Sequence, residues 1–205
     1  MSNNNPSIDP ANNGSLAGTL QFAFERMMMK TDGMLPARVI QYDRDKNRVQ
    51  VQMLITMITT NGEQVPRPQV ASLPVLLMGG GGFLLSFPIK TGDLGWVMAS
   101  DRDISLFLQN YNQSPPNSER VKSFSDGLFI PDTMTNYQIS SAESDSFVIQ
   151  SLDGQTIISV GDDEIKIESP AKISIKAPSV DIDLGSPGNI MTVNGSITAT
   201  GSITP

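Results

Sequence analysis

The spacing of apolar residues changes twice along the chain, and each change marks a boundary. From Leu16 to Lys30 the positions Leu16, Leu20, Phe24, Met27 and Met28 fall on one stripe. Helical spacing of this kind predicts a helix over 16–30, with Asp32-Gly33 as its stop signal. Two uses of the stripe stand open: packing on the domain that follows, or docking to a partner. The second draws on Phe22 and the Met27-Met28-Met29 run, which carry more apolar surface than one stripe hides, and methionine adapts to foreign surfaces. Ahead of the helix, residues 1–15 are Asn-rich and punctuated by Pro and Gly, a composition that does not offset its own ordering entropy. Residues 1–33 therefore read as a flexible N-terminal arm carrying a short helix.

From Leu35 the period drops to two and strand-forming residues take over. Arg38–Tyr42 and Val49–Met53 are predicted strands joined by a polar turn over Asp43–Asn47. Asn61-Gly62-Glu63 marks a further turn, and Pro66 and Pro68 confine their neighbours to an edge or a loop. Val75–Met78, Phe83–Ile89 and Leu94–Ala99 complete the set, with Lys90-Thr91-Gly92-Asp93 as the last turn. Short strands so closely spaced suit a small closed antiparallel barrel, which removes its own edges. It is expected over residues 34–113, with 114–138 as a linker. Gly79–Gly82 fails as a phosphate cradle, because no Gly-Lys-Ser/Thr and no helix pattern follow it. It reads as a hairpin tip.

After Asp145 the pattern changes again. Isoleucines recur every six to nine residues at Ile158, Ile165, Ile173, Ile182, Ile190, Ile197 and Ile203, with companions two residues on at Val160, Ile167, Ile175, Leu184 and, more weakly, Ala199. Turn formers such as Ser169-Pro170, Ala177-Pro178-Ser179 and Asn194-Gly195 separate them. Each unit is a short strand with one apolar face, and a strand that short needs paired edges. One chain winding alone would make a stub that buries almost nothing. Three identical chains wound round one axis bring the isoleucines into a continuous interior. At roughly 4.8 Å between strands such a needle is on the order of 35 Å long, slightly more than the roughly 30 Å hydrocarbon thickness of a bilayer. Residues 139–205 are thus expected to form an intertwined, trimeric triple-stranded β-helix. Its core would hold Ile158, Val160, Ile165, Ile167, Ile173, Ile175, Ile182, Leu184, Ile190 and Ile197.

Charge sharpens the boundary. Residues 1–137 hold 11 basic and 12 acidic side chains, residues 138–205 only 3 and 9, so nearly all of the −7 net charge lies in the C-terminal part. That balance argues against nucleic acid, whose binding rests on a basic stripe. The 205 residues include no Cys and no His, which excludes disulfides, thiol nucleophiles, Cys/His zinc sites and Ser-His-Asp machinery from this chain alone. No apolar run reaches the roughly 18 residues of a spanning helix, and Met1-Ser-Asn-Asn-Asn lacks the regions of a secretory signal. A soluble, unexported chain is expected.

A small barrel, a join and an isoleucine-repeat tail resemble the central spike, or membrane-piercing needle, of contractile-tailed bacteriophage baseplates. Gly81–Asp93 is similar to that family's hairpin motif of a glycine run, an apolar strand, Phe-Pro-Ile and Gly-Asp. Ala99–Ile104 and Asp126–Pro131 resemble its next two motifs, and Val193–Gly201 resembles its winding units. The resemblance implies an OB-fold barrel seated under a baseplate hub, a homotrimer, a needle aimed at the host outer membrane, and a place in the virion at the tail tip. Leu16, Leu20, Phe24, Met27 and Met28 become the candidates for docking the hub. Relatives with a lysozyme domain place it between barrel and needle, where this chain leaves no room. Many relatives bind iron through a His-x-His apex; a chain without histidine has no such metal, so Ile203, Thr204 and Pro205 at the tip, or a separate capping protein, would close it.

Catalytic groups are scarce. Asp101 and Asp103 flank Arg102, which suggests an ion pair or a cap. Asp181 and Asp183 share the face opposite Ile182, and Asp162-Asp163-Glu164 lies in a turn; a calcium site needs more oxygen ligands at ordered spacing. Glycoside hydrolysis needs two carboxyls across a cleft, which a tail with one aromatic residue does not offer. The expectation is a structural part with no enzyme activity and no cofactor. A β-helical cell-wall or capsule hydrolase and a receptor-binding tail fiber are the alternatives.

Overall fold

A computed structural model describes residues 15–29, 31–59, 61–134, 141–185 and 190–198, in two compact units that divide after Tyr137. The division falls at the charge boundary.

In the first unit, helix α1 spans Leu16–Met29. Ser15 caps it, its hydroxyl accepting a hydrogen bond from the Gly18 N–H at 3.0 Å. The Thr31 N–H and hydroxyl close the other end on Met28 O and Met27 O. Strands β1 (Met34–Asp43) and β2 (Arg48–Met53) form the first hairpin. Its turn needs a left-handed residue, supplied by Asn47 at φ +50°, and Asn is among the few non-glycine types that tolerate it. The Asn47 amide also donates to Val75 O at 2.8 Å, tying this turn to a distant segment.

Five short strands follow in two hairpins and one ladder. β3 (Met57–Ile58) pairs with β4 (Gln64–Val65), β5 (Val70–Pro74) pairs with β2, and β6 (Met78–Gly80) pairs with β7 (Phe83–Leu85) through a turn at Gly81 and Gly82. Then come β8 (Leu94–Ser100), a one-turn helix α2 (Phe107–Asn110) and β9 (Ser123–Pro131). The main sheet has the order β5-β2-β1-β8-β9. Its two ends approach through a parallel bridge between Val75 and Phe129, reinforced by Leu76 N–H donating to Phe129 O at 2.8 Å. The result is a nearly closed, barrel-like sheet.

Alternation builds the interior. Val49, Val51 and Met53 point inward from β2, Ala37 and Val39 from β1, Leu73 from β5, Val97 from β8 and Phe129 from β9. Phe129 is fully buried, and a Cβ on Gly95 in the facing strand would run into its ring and into the Ile130 carbonyl oxygen. Glycine there gives the ring its seat. Two expectations need correction. The linker over 114–138 in fact contains β9, which pairs with β8 along Gly95–Ser100 and completes the core. The strand over Val75–Met78 is displaced: the ladder to β2 is made by Val70–Pro74, and Val75 turns to meet Phe129. Pro74 is tolerated because it sits at the end of an edge strand.

In the second unit a single turn of 3-10 helix (Ser141–Glu143) precedes an antiparallel sheet of β10 (Phe147–Gln150), β11 (Ile157–Val160) and β12 (Ile165–Glu168). Gly154, at φ +69°, and Gly161, whose N–H donates to Glu164 O at 2.9 Å, sit in its two turns. Among the described residues after Glu168 there is no strand, and the triple-stranded winding of three chains that the repeat predicts is not shown by the single chain. No described helix is long and apolar enough to cross a membrane.

Candidate interaction surfaces

The β10-β11-β12 sheet buries the face opposite to the one an isolated domain would bury. Register places Phe147, Val160 and Ile165 in one cross-strand row, and Ile149, Ile158 and Ile167 in the next. All six lie on one face and all six are exposed. The other face carries Val148, Gln150, Ile157, Ser159, Lys166 and Glu168, and there Ile157 and Ser159 are buried. Glu143 is buried against it: Lys166 Nζ pairs with Glu143 Oε1 at 3.1 Å and with Glu168 Oε2 at 3.4 Å. Hydrogen bonds from Ser159 and Lys166 hold the Glu143 carboxyl below its ordinary value, and Glu143 raises Lys166 in return. Ile157, Ser159 and the Glu143 carboxyl are thus buried on the mixed face while six large apolar side chains on the other face water.

The exposure continues down the repeat. Of the predicted core residues, Ile158, Val160, Ile165, Ile167, Ile173, Ile175, Ile182, Leu184, Ile190 and Ile197 are each between 41% and 83% exposed in the single chain. The apolar row also begins one strand earlier than the isoleucine repeat, with Phe147 and Ile149; the short β-forming run Phe147-Val148-Ile149 was the available signal. Ile203, Thr204 and Pro205, the expected tip, lie outside the described residues.

The first unit has surfaces of its own. Leu16, Leu20, Phe24, Met27 and Met28 on α1 are each more than half exposed, so the described helix does not spend its stripe on packing against the barrel. The β3–β4 hairpin exposes Met57, Ile58 and Val65, and the β6–β7 hairpin exposes Met78, Phe83, Leu84 and Leu85.

The buried charges of the barrel are structural. The ion pair or cap expected at Asp101 and Asp103 is present at Asp103, where the partner is Arg120, whose Nη2 lies 3.0 Å from Asp103 Oδ2 and 2.9 Å from Asp126 Oδ1. The Ser118 hydroxyl and the Ser105 N–H also donate to Asp103, at 2.6 and 2.9 Å. Ser105, Ser118 and Arg120 hold the Asp103 carboxyl well below the usual carboxylate range. Burial pushes Asp126 upward despite Arg120, and its Oδ2 is buried without a hydrogen-bond partner. The trio pins the excursion between β8 and β9 to the last barrel strand. No group of three or more potential metal-ligating side chains occurs among the described residues. Asp181 and Asp183 are exposed, as are Asp162, Asp163 and Glu164.

The fold defines a mostly-β protein built on a nearly closed barrel-like sheet, with large apolar surfaces left open. Comparison with known families narrows that class: residues 35–132 match the family model described as phage protein Gp138 N-terminal domain. The match spans slightly under half of the chain, ends within two residues of β9 and indicates a phage structural protein. No curated protein matches the chain.

Proposed function

We propose that this protein is the central spike of a contractile phage tail: a homotrimer whose barrels seat on the baseplate hub and whose C-terminal units wind into a needle that pierces the host outer membrane. The observation that carries the reading is the inverted burial of the β10-β11-β12 sheet, with a covered ion pair and two bare rows of apolar side chains. Burying one such side chain is worth roughly 1.5–3 kcal/mol, and three chains facing one axis bury them all. The repeat from Ile173 to Ile197 extends the same rows along the axis, and its bare acidic residues limit lateral association of needles.

The strand order and the parallel contact that closes it support an OB-fold, a five-stranded, partly open barrel. The phage-family match to that same region supports a virion component. Exposure of the α1 stripe supports hub docking through Leu16, Leu20, Phe24, Met27 and Met28. The mechanism is mechanical: sheath contraction drives a rod that is stiff because its strands are interwound, and no step needs a catalytic group or a cofactor. A separate protein at the needle's end completes the tip. Gold-labelled antibody raised against residues 141–198 tests the location. Label at the distal tip of the tail is the expected result; label on the head, or along fibers, contradicts the spike reading.

A further inference from the structure

The chain holds three Asn-Gly pairs, beginning at Asn13, Asn61 and Asn194. The first lies outside the described residues; the other two are exposed, and a Cβ on Gly62 or Gly195 would meet nothing within 4 Å. Asn-Gly is the pairing in which the backbone most readily attacks the preceding side chain, because glycine sets no Cβ beside the reacting nitrogen and leaves the backbone free to turn. The glycine N–H gives its proton to solvent base, and the nitrogen attacks Asn Cγ. A succinimide ring closes as the side-chain carbon–nitrogen bond breaks and ammonia leaves. Water then opens the ring at either carbonyl, giving aspartate or an isoaspartyl link, with no oxidant, reductant or cofactor.

The two turns differ at the attacking nitrogen. Gly62 N–H donates to Thr59 O at 3.0 Å, inside a hairpin that Thr59 N–H closes on Glu63 O at 2.9 Å. Gly195, at φ +154°, donates no backbone hydrogen bond among the described residues, and no described strand flanks it. We propose that Asn194 is a site of spontaneous deamidation in the unassembled chain, and that winding protects it by pairing the strands on either side, as β3 and β4 protect Asn61. The protection rests on the trimeric reading given above; the reactive turn does not. The product works against winding. Aspartate adds a negative charge to a unit that already holds 9 acidic and 3 basic side chains. An isoaspartyl link lengthens the main chain by one carbon between Val193 and Ile197, displacing the alternation on which register depends.

The test incubates the full-length parent and the full-length Ile167→Asp variant side by side in warm, mildly alkaline buffer. Peptide mapping by mass spectrometry reads each amide, and enzymatic methylation of isoaspartyl carboxyls reads the product. Should Ile167→Asp scatter light as a trimer, the double variant with Ile175→Asp takes its place. Both substitutions lie in the second unit, so the Asn61 turn serves as an internal control. In the single-chain variant the Asn194 amide should be lost roughly two- to tenfold faster than that of Asn61, the factor one net backbone hydrogen bond supplies. In the trimeric parent it should persist. Equal loss at Asn194 and Asn61 in the variant overturns the site. Loss in a trimeric parent at the variant's rate overturns the protection by winding. A parent with the mass of one chain that loses the Asn194 amide overturns the trimeric reading and leaves the reactive turn standing.

Discussion

Truncating Phe129 to Ala asks whether the segment before the unit boundary is a joint or part of the barrel. Phe129 is fully buried, bridges to Val75, accepts the Leu76 N–H and lies over Gly95. Nothing near it is free to fill the space, because the surrounding core residues are held in paired strands. Loss of a buried Phe costs about 3–5 kcal/mol, a large share of the 5–15 kcal/mol that roughly spans domain stabilities. With a urea slope of about 2 kcal/mol per molar, the unfolding midpoint should fall by roughly 2 M. Trp96, the single tryptophan of the chain, reports on this region: it pairs with Ile130 across β8 and β9, and its Nε1 donates to Asp132 Oδ2 at 2.7 Å. Val121→Ala, at an exposed position just outside β9, should move the midpoint by no more than about 0.5 kcal/mol equivalent. If Phe129→Ala unfolds at the same urea concentration as Val121→Ala, the place of β9 in the core is wrong.

Three further outcomes are expected. Ile167→Asp puts a carboxylate in the middle of an exposed apolar row, so three unpaired charges would meet on the axis and the trimer should be lost; a trimeric variant of normal melting temperature contradicts the packing. Leu20→Ser together with Phe24→Ser, both on exposed positions of α1, should leave the Trp96 melting transition within about 0.5 kcal/mol of the parent, and a larger loss would mean the helix packs on the barrel after all. Asp126 is a carboxyl whose folded value lies above its unfolded one, because burial penalises its charge. It therefore adds stability as pH falls through its folded value and removes it as pH rises. Asp126→Asn abolishes that titration, so the melting temperature of the parent relative to the variant should rise between pH 7 and pH 4; a constant difference contradicts the shift.

The periodic segments were legible because each has one strong period. The helical stripe gave α1, and strict alternation gave β1, β2 and β8 to within a few residues. Residues 123–131 were missed because Asp126 and Gly127 interrupt the alternation. Asp126 is tolerated in the interior through Arg120, and Gly127 leaves space for a close approach of Met98 O; neither partner is adjacent in sequence. An ion pair or a cap at Asp103 is legible from its setting beside Arg102, but not that the cation is Arg120, 17 residues away. The apolar anchors of the second unit were visible as a repeat, but not which face a single chain would cover. That choice depends on Glu143 reaching Lys166 across 23 positions, a contact no periodicity encodes.

The central claim is that the isoleucine rows are bare only because their partners are two more copies of the same chain. Light scattering on the purified full-length protein, over a hundredfold range of dilution, tests it directly. Three times the mass of one chain at every concentration is the expected result. A species with the mass of one chain, stable in solution with those rows exposed, contradicts it.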